Sequence, residues 1–204
     1  MGFTVYDYRE DIRNVLVTPQ IRSRFMRMEP GDDSGAHSHD LGQEVFLVLQ
    51  GRAEFTIDGE SKVVGPGQMC VALVDQLHSL RVDGDEPMTM YLSVTPHIQP
   101  THTMWSADGN RMPHRFTPSS AYDIETDTST PLPELMQRLS EATRAVSDTA
   151  GGALAREEST TIQEGDAAAA EARVEIWDGL VEVFRRSAEL AALWNEIAPR
   201  ADGM

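Results

Sequence analysis

Short apolar runs separated by closely spaced turn signals fill the first 120 residues, the pattern of an all-β sandwich or barrel. Asn14–Thr18, Arg22–Met28, Glu44–Leu49, Arg52–Asp58, Met69–Val74, Leu77–Val82 and Met88–Thr95 read as strands. Glu29-Pro30-Gly31, Asp58-Gly59 and Gly65-Pro66-Gly67 supply turns between them. Ala53, Phe55 and Ile57 alternate with polar residues up to Asp58-Gly59, which predicts a hairpin at that point.

The pattern changes near residue 120. Residues 117–131 are polar and rich in Ser, Thr and Asp, the composition of a linker. Leu132, Leu135, Met136, Leu139 and Val146 then recur at helical spacing, behind prolines that suit a first turn. Residues 147–165, with Gly151-Gly152 inside them, read as a loop. Asp166 reads as the cap of a long helix reaching about Ala198. Its stripe of Ile176, Leu180, Val183, Leu190, Trp194 and Ile197 predicts a core or dimer face, with Trp194 packing rather than holding a cofactor. The expected division is a β domain over 1–118, a linker over 119–131 and a helical extension over 132–204.

Composition narrows the classes of function. Of 204 residues, 40% are apolar and 25% charged, which suits a globular protein and excludes collagen, coiled-coil rod and wholesale disorder. Thirty-three acidic residues against seventeen basic ones give a net charge of −16, so phosphate would be repelled and nucleic acid is excluded as a partner. Lys62 is the only lysine. Neither an apolar run long enough to span a membrane nor a charged-then-apolar leader is apparent, so a soluble, cytoplasmic protein is expected. Cys70 is the only cysteine; it has no partner for an internal disulfide and reads as a small buried hydrophobe.

The chemistry concentrates between Gly31 and Gly51. His37 and His39 are one residue apart, so on a strand they project from the same face. Glu44 follows a turn around Gly42 and can face the same point from the next strand. Imidazole nitrogens with a carboxylate oxygen suit a borderline divalent ion such as Fe, Mn, Ni or Zn. Phe46 shares a strand face with Glu44, as pocket lining or as plain core. Arg22 and Arg24 share a face with Met26 and Met28. Turned inward, an arginine there, Arg24 first, would hold a substrate carboxylate; turned outward, the ordinary expectation for arginine, both are solvated. His97, His102 and His114 follow the last strand without ligand spacing and are expected to bind nothing.

The stretch resembles the cupin superfamily. Its first motif is a glycine, five residues, His-x-His, three or four residues, Glu, six residues and a glycine; Gly31, His37, His39, Glu44 and Gly51 meet every fixed position. The second motif is a glycine, five residues, Pro-x-Gly, two residues, His, three residues and Asn. Gly67 and His78 meet it, whereas Leu73, Asp75 and Val82 replace the proline, second glycine and asparagine. The departures concern the loop before His78 more than His78 itself. The resemblance covers about residues 10–96 and implies a mainly β fold, an antiparallel jelly-roll type cupin barrel followed by the α-helical extension.

By the same resemblance, His37, His39, Glu44 and His78 are the metal ligands, with one divalent transition metal ion (Fe, Mn, Ni or Zn) as cofactor; a cupin keeping only relics of the site is the alternative. Four protein donors leave open positions for a small-molecule substrate, which is a catalytic arrangement. The first functional expectation is a mononuclear Fe or Mn dioxygenase, an oxidoreductase in which Glu44 accepts a proton. The second is a redox-free lyase, isomerase or decarboxylase. The third is a non-enzymatic module that binds a small molecule. Related single-domain barrels commonly dimerise, so a homodimer is expected, with the apolar stripe of the last helix on the barrel or on the partner.

Overall fold

The computed structural model describes residues 2–106, 108–160 and 169–201. Two compact units result, Met1–Thr126 and Asp127–Arg200. Among the described residues, the first holds ten strands: β1 (Asn14–Val17), β2 (Arg22–Met28), β3 (His37–Ser38), β4 (Gln43–Gln50), β5 (Ala53–Ile57), β6 (Glu60–Val64), β7 (Met69–Ala72), β8 (His78–Val82), β9 (Met88–Thr95) and β10 (Thr103–Met104). They form two five-stranded sheets in the orders β1-β2-β9-β4-β7 and β10-β3-β8-β5-β6. Every pairing between these strands is antiparallel.

Alternation places the core between the sheets. On β4, Glu44, Phe46 and Val48 are buried while Val45, Leu47 and Leu49 are half-buried. Met88, Met90, Leu92 and Val94 on β9 join them, facing Phe55, Leu80 and Val82 of the second sheet within one apolar cluster. The predicted hairpin at Asp58-Gly59 joins β5 to β6 in register, Ala53 opposite Val64 and Ile57 opposite Glu60.

Two turns near the ends of β4 and β8 depend on backbone conformation. Gly51 has φ +69°, and a Cβ there would lie 2.4 Å from the carbonyl oxygen of Pro87, so only glycine fits. Asp75, where the second motif has glycine, adopts φ +63°, a conformation aspartate tolerates better than most residues. Side chains hold that loop: Leu73 N–H donates to Gln76 Oε1 at 2.9 Å, and Gln76 Nε2 donates to Asp58 Oδ2 at 2.8 Å. The replaced motif positions therefore leave the turn intact, and His78 enters β8 facing the barrel interior.

Part of the expected linker is folded. Ser119–Tyr122 form a 3-10 helix and Tyr122 is buried, because its ring has a barrel surface to cover despite the polar residues around it. Cys70 is half-buried beside a second cavity lined by Phe55, Met69 and Val71, and burial pushes its thiol up to about 11.

The second unit is a pair of helices, α1 (Leu132–Ser159) and α2 (Ala169–Ala201). The loop expected over 147–165 is helical as far as Ser159. Each glycine of Gly151-Gly152 disfavours a helix by about 1 kcal/mol, but Ala153, Leu154, Ala155, Arg156 and Glu157 are strong helix formers and prevail. A Cβ on Gly179 of α2 would lie 3.4 Å from Cβ of Ala153 on α1, so the helices approach closely at small residues. The proposed cap, Asp166, lies outside the described residues. No helix among the described residues is long and apolar enough to cross a membrane.

Candidate metal centre

Four side chains from both sheets meet at one point. His37 lies on β3 directly opposite His78 on β8, His39 follows β3, and Glu44 reaches across from β4. Each offers one ligating atom, and these atoms lie within 4.8 Å of one another, all from buried residues. Glu44 Oε2 lies 2.9 Å from Nε2 of His39, 3.1 Å from Nε2 of His78 and 3.8 Å from Nε2 of His37.

The far side of each imidazole is also fixed. Nδ1 of His37 donates to the carbonyl of Gly35 at 3.0 Å, Nδ1 of His78 to that of Gln76 at 2.8 Å, and Nδ1 of His39 to that of Thr101. A carbonyl oxygen only accepts, so each ring carries its hydrogen on Nδ1 and turns Nε2 toward the shared point. Three lone pairs then converge on a carboxylate only 3% exposed. Such an acceptor cluster needs positive charge at its centre, and a transition metal with bonds near 2.1 Å suits both its span and its donors. The four residues thus fit a metal ion.

A cavity of about 460 Å³ opens over the cluster. His37, Glu44 and Phe46 line it, so Phe46 serves the pocket and, 5.1 Å ring to ring from Phe55, also the core. Arg22 and Arg24 line it as well, which overturns the expectation that both are solvated. Arg22 is 4% exposed; its guanidinium lies 3.9 Å from Glu44 Oε1 and 5.2 Å from the centroid of the Tyr122 ring. A carboxylate on one side and an aromatic face on the other make this depth tolerable for arginine.

His102 departs furthest from expectation. Its ring centroid lies 4.8 Å from that of His39 and 5.0 Å from that of His37, in the cavity wall. Nδ1 of His102 lies 2.8 Å from Thr101 Oγ1, which in turn lies 2.9 Å from the Tyr122 hydroxyl. Burial, with the neighbouring His39 and His37, pushes its ring well below the usual imidazole range. His97 is buried edge-on against Tyr122 at 4.7 Å, whereas His114 is exposed. Among the described residues, the group that could hold a metal is His37, His39, Glu44 and His78 alone. Nothing in the spacing of residues 97–122 marks His102, Thr101 or Tyr122; they reach the centre through the β3–β10 pairing, in which Ser38 lies opposite Thr103.

Parts of the chain resemble known proteins. The family model described as Cupin domain matches residues 24–95. Polyketide synthase CurC of Streptomyces cyaneus is 33% identical over 91 residues, which are 42% of this chain and 59% of that protein, so the match spans about three fifths of the relative's length. A Klebsiella pneumoniae protein with a double-stranded β-helix domain is 24% identical, with a TM-score of 0.44 over 47% of this chain and 91% of that one. KdgF from a Halomonas species is 22% identical, with a TM-score of 0.39 over 42% of this chain and 78% of that one. Both histidine-bearing motifs fall on the paired sheets, and the segment over residues 24–95 matches the Cupin domain, with a helical extension after the barrel.

Proposed function

We propose that the barrel is a metal-dependent enzyme acting on a small organic substrate, a mononuclear Fe or Mn dioxygenase as the first reading. One observation carries it: the convergence of three Nε2 lone pairs and the Glu44 carboxylate on one point at the wall of a substrate-sized cavity. His37, His39, Glu44 and His78 would hold the ion, which when bound would polarise the substrate and activate dioxygen.

The chain's own residues do the rest. Carbonyl acceptors at Gly35, Gln76 and Thr101 lock the ring orientations before anything binds. Glu44 stays ionised, with Oε2 among the imidazoles and Oε1 turned toward Arg22, and Oε1 is the atom that would take up a substrate proton. Phe46 and Arg24 contact substrate, the ring excluding water from one wall and the guanidinium orienting an acidic group. The working state is read as a cytoplasmic homodimer, for which the exposed apolar residues Val174, Trp177 and Phe184 on α2 offer a surface to cover.

A redox-free reaction, as in a lyase, isomerase or decarboxylase, is the second reading. It is favoured by the likeness to a protein named as a polyketide synthase, since a ketone chain is activated by a Lewis acid without oxygen. Anaerobic reconstitution with Fe(II), then with Zn(II), decides between them when followed by a panel of small phenols, diketones and carboxylic acids on an oxygen electrode. Oxygen uptake with iron and silence with zinc supports the dioxygenase. Turnover that survives zinc and proceeds without oxygen moves the protein to the second reading. Ligand binding without any turnover would leave a binding module.

A further inference from the structure

The cavity is a positive spot in an acidic protein. The chain carries −16 overall, yet Arg22, Arg24 and Arg115 line this cavity against a single carboxylate, Glu44. Arg115 is exposed, whereas Arg22 is buried and Arg24 half-buried. Both project from the same face of β2, two residues apart, and Nε of each is buried without a hydrogen-bond partner. The Arg22–Glu44 separation of 3.9 Å is too long for a hydrogen bond. Burial and the adjacent Arg22 charge pull the Arg24 guanidinium below its usual range, with Asp123 and Glu44 offsetting part of the effect.

A buried guanidinium with donors unused is costly, and two of them side by side repel one another. An anion with two coplanar oxygens relieves both problems, because each planar fork matches a delocalised oxyanion. The remaining wall is apolar, built from Met26, Phe46, Leu80, Met90 and Leu92, which suits a ring or short hydrocarbon chain.

We propose that Arg22 and Arg24 form an oxyanion-recognition site, and that the substrate is a small organic acid or enolate. Its oxyanion pairs with the two guanidinium groups while its hydrocarbon part lies against Met26, Phe46 and Leu92. This assignment rests on the reading of the cavity as the catalytic pocket.

The test uses the full chain, zinc-loaded and EDTA-treated, in NMR titrations with benzoate, with the enolate dimedone and with neutral benzamide. At least one anion should bind about tenfold or more tightly than benzamide, the margin expected of charge-assisted hydrogen bonds. Arg24→Met should remove most of that margin, and Arg24→Lys, which keeps the charge without the fork, should restore part of it. A thermal melt of each variant confirms that it is folded. Benzoate alone showing the margin identifies a carboxylate substrate; dimedone alone identifies an enolate. Equal binding of all three probes, or a margin unchanged in folded Arg24→Met, overturns the assignment. Elemental analysis of the same samples separates the two readings. Bound metal without anion preference sinks the arginine site only. Anion preference in a protein that takes up no metal sinks the catalytic reading and leaves the arginine site standing.

Discussion

Nδ1 of His39 hydrogen-bonds the carbonyl oxygen of Thr101, 62 residues further along the chain. Through that bond, the segment after β9 sets the orientation of an imidazole in the cluster. Thr101 is itself held by its hydroxyl, 2.9 Å from that of Tyr122, whose ring packs on His97 and beneath the Arg22 guanidinium. Tyr122 is therefore a positioning residue, acting on the centre through Thr101 and Arg22.

Replacing Tyr122 should loosen the cluster without removing a donor. For Tyr122→Ala we expect zinc affinity to fall by about tenfold or more, in line with other losses of support behind a ligand. Tyr122→Phe keeps the ring and loses only the hydroxyl, so a smaller fall is expected. Competition against a chromophoric chelator measures both. Unchanged affinity in Tyr122→Ala would show that Thr101 is held by other means.

Gly51 makes a second demand, on stability. With φ +69° and a Cβ site 2.4 Å from the Pro87 carbonyl oxygen, Gly51→Ala forces the turn between β4 and β5 away from the start of β9. We expect a loss on the order of 2–4 kcal/mol, read as a lower urea midpoint. A midpoint within error of the wild type would mean the turn relaxes at no cost.

His97 gives a pH signature with a defined sign. Burial first, then the charges of Arg22 and His39, lower its ring from 6.5 to about 4. Between those values the unfolded chain binds a proton that the folded chain refuses. His97 therefore leaves stability intact above pH 6.5, erodes it as pH falls toward 4, and adds no further loss below. The erosion is on the order of 3 kcal/mol. Urea denaturation of metal-free wild type and His97→Asn across this range should give curves that converge as the pH falls. A constant difference between them would contradict the assignment.

The barrel should fold without the helices. Every residue of its apolar cluster lies between Met28 and Val94, and the parts of the centre lie between Arg22 and Tyr122. Residues 1–126 expressed alone should therefore melt cooperatively and bind zinc like the full chain. Light scattering of the two forms also tests the dimer: a dimeric full chain with a monomeric truncate supports the α2 surface, and a dimeric truncate removes it.

What the sequence revealed and what it hid follow physical lines. Seven strands are readable because each alternates or runs apolar against a buried face. β6 is not, because Glu60, Ser61, Lys62 and Val63 are exposed on an edge strand and carry no alternation. His37, His39 and Glu44 are readable because their spacing is local to one turn. His102, Thr101 and Tyr122 come from a stretch without period, and only pairing with β3 brings them in. Alternation put Arg22 and Arg24 on one face of β2 without saying which way it turns. That direction follows from Glu44 and Tyr122, residues remote in sequence.

The most direct check on the centre is metal content. Elemental analysis of purified protein should find close to one transition-metal ion per chain in the wild type. The His37→Ala, His39→Ala double variant, with two of four donors gone, should retain almost none. Near-stoichiometric metal in that folded double variant would contradict a centre at His37, His39, Glu44 and His78.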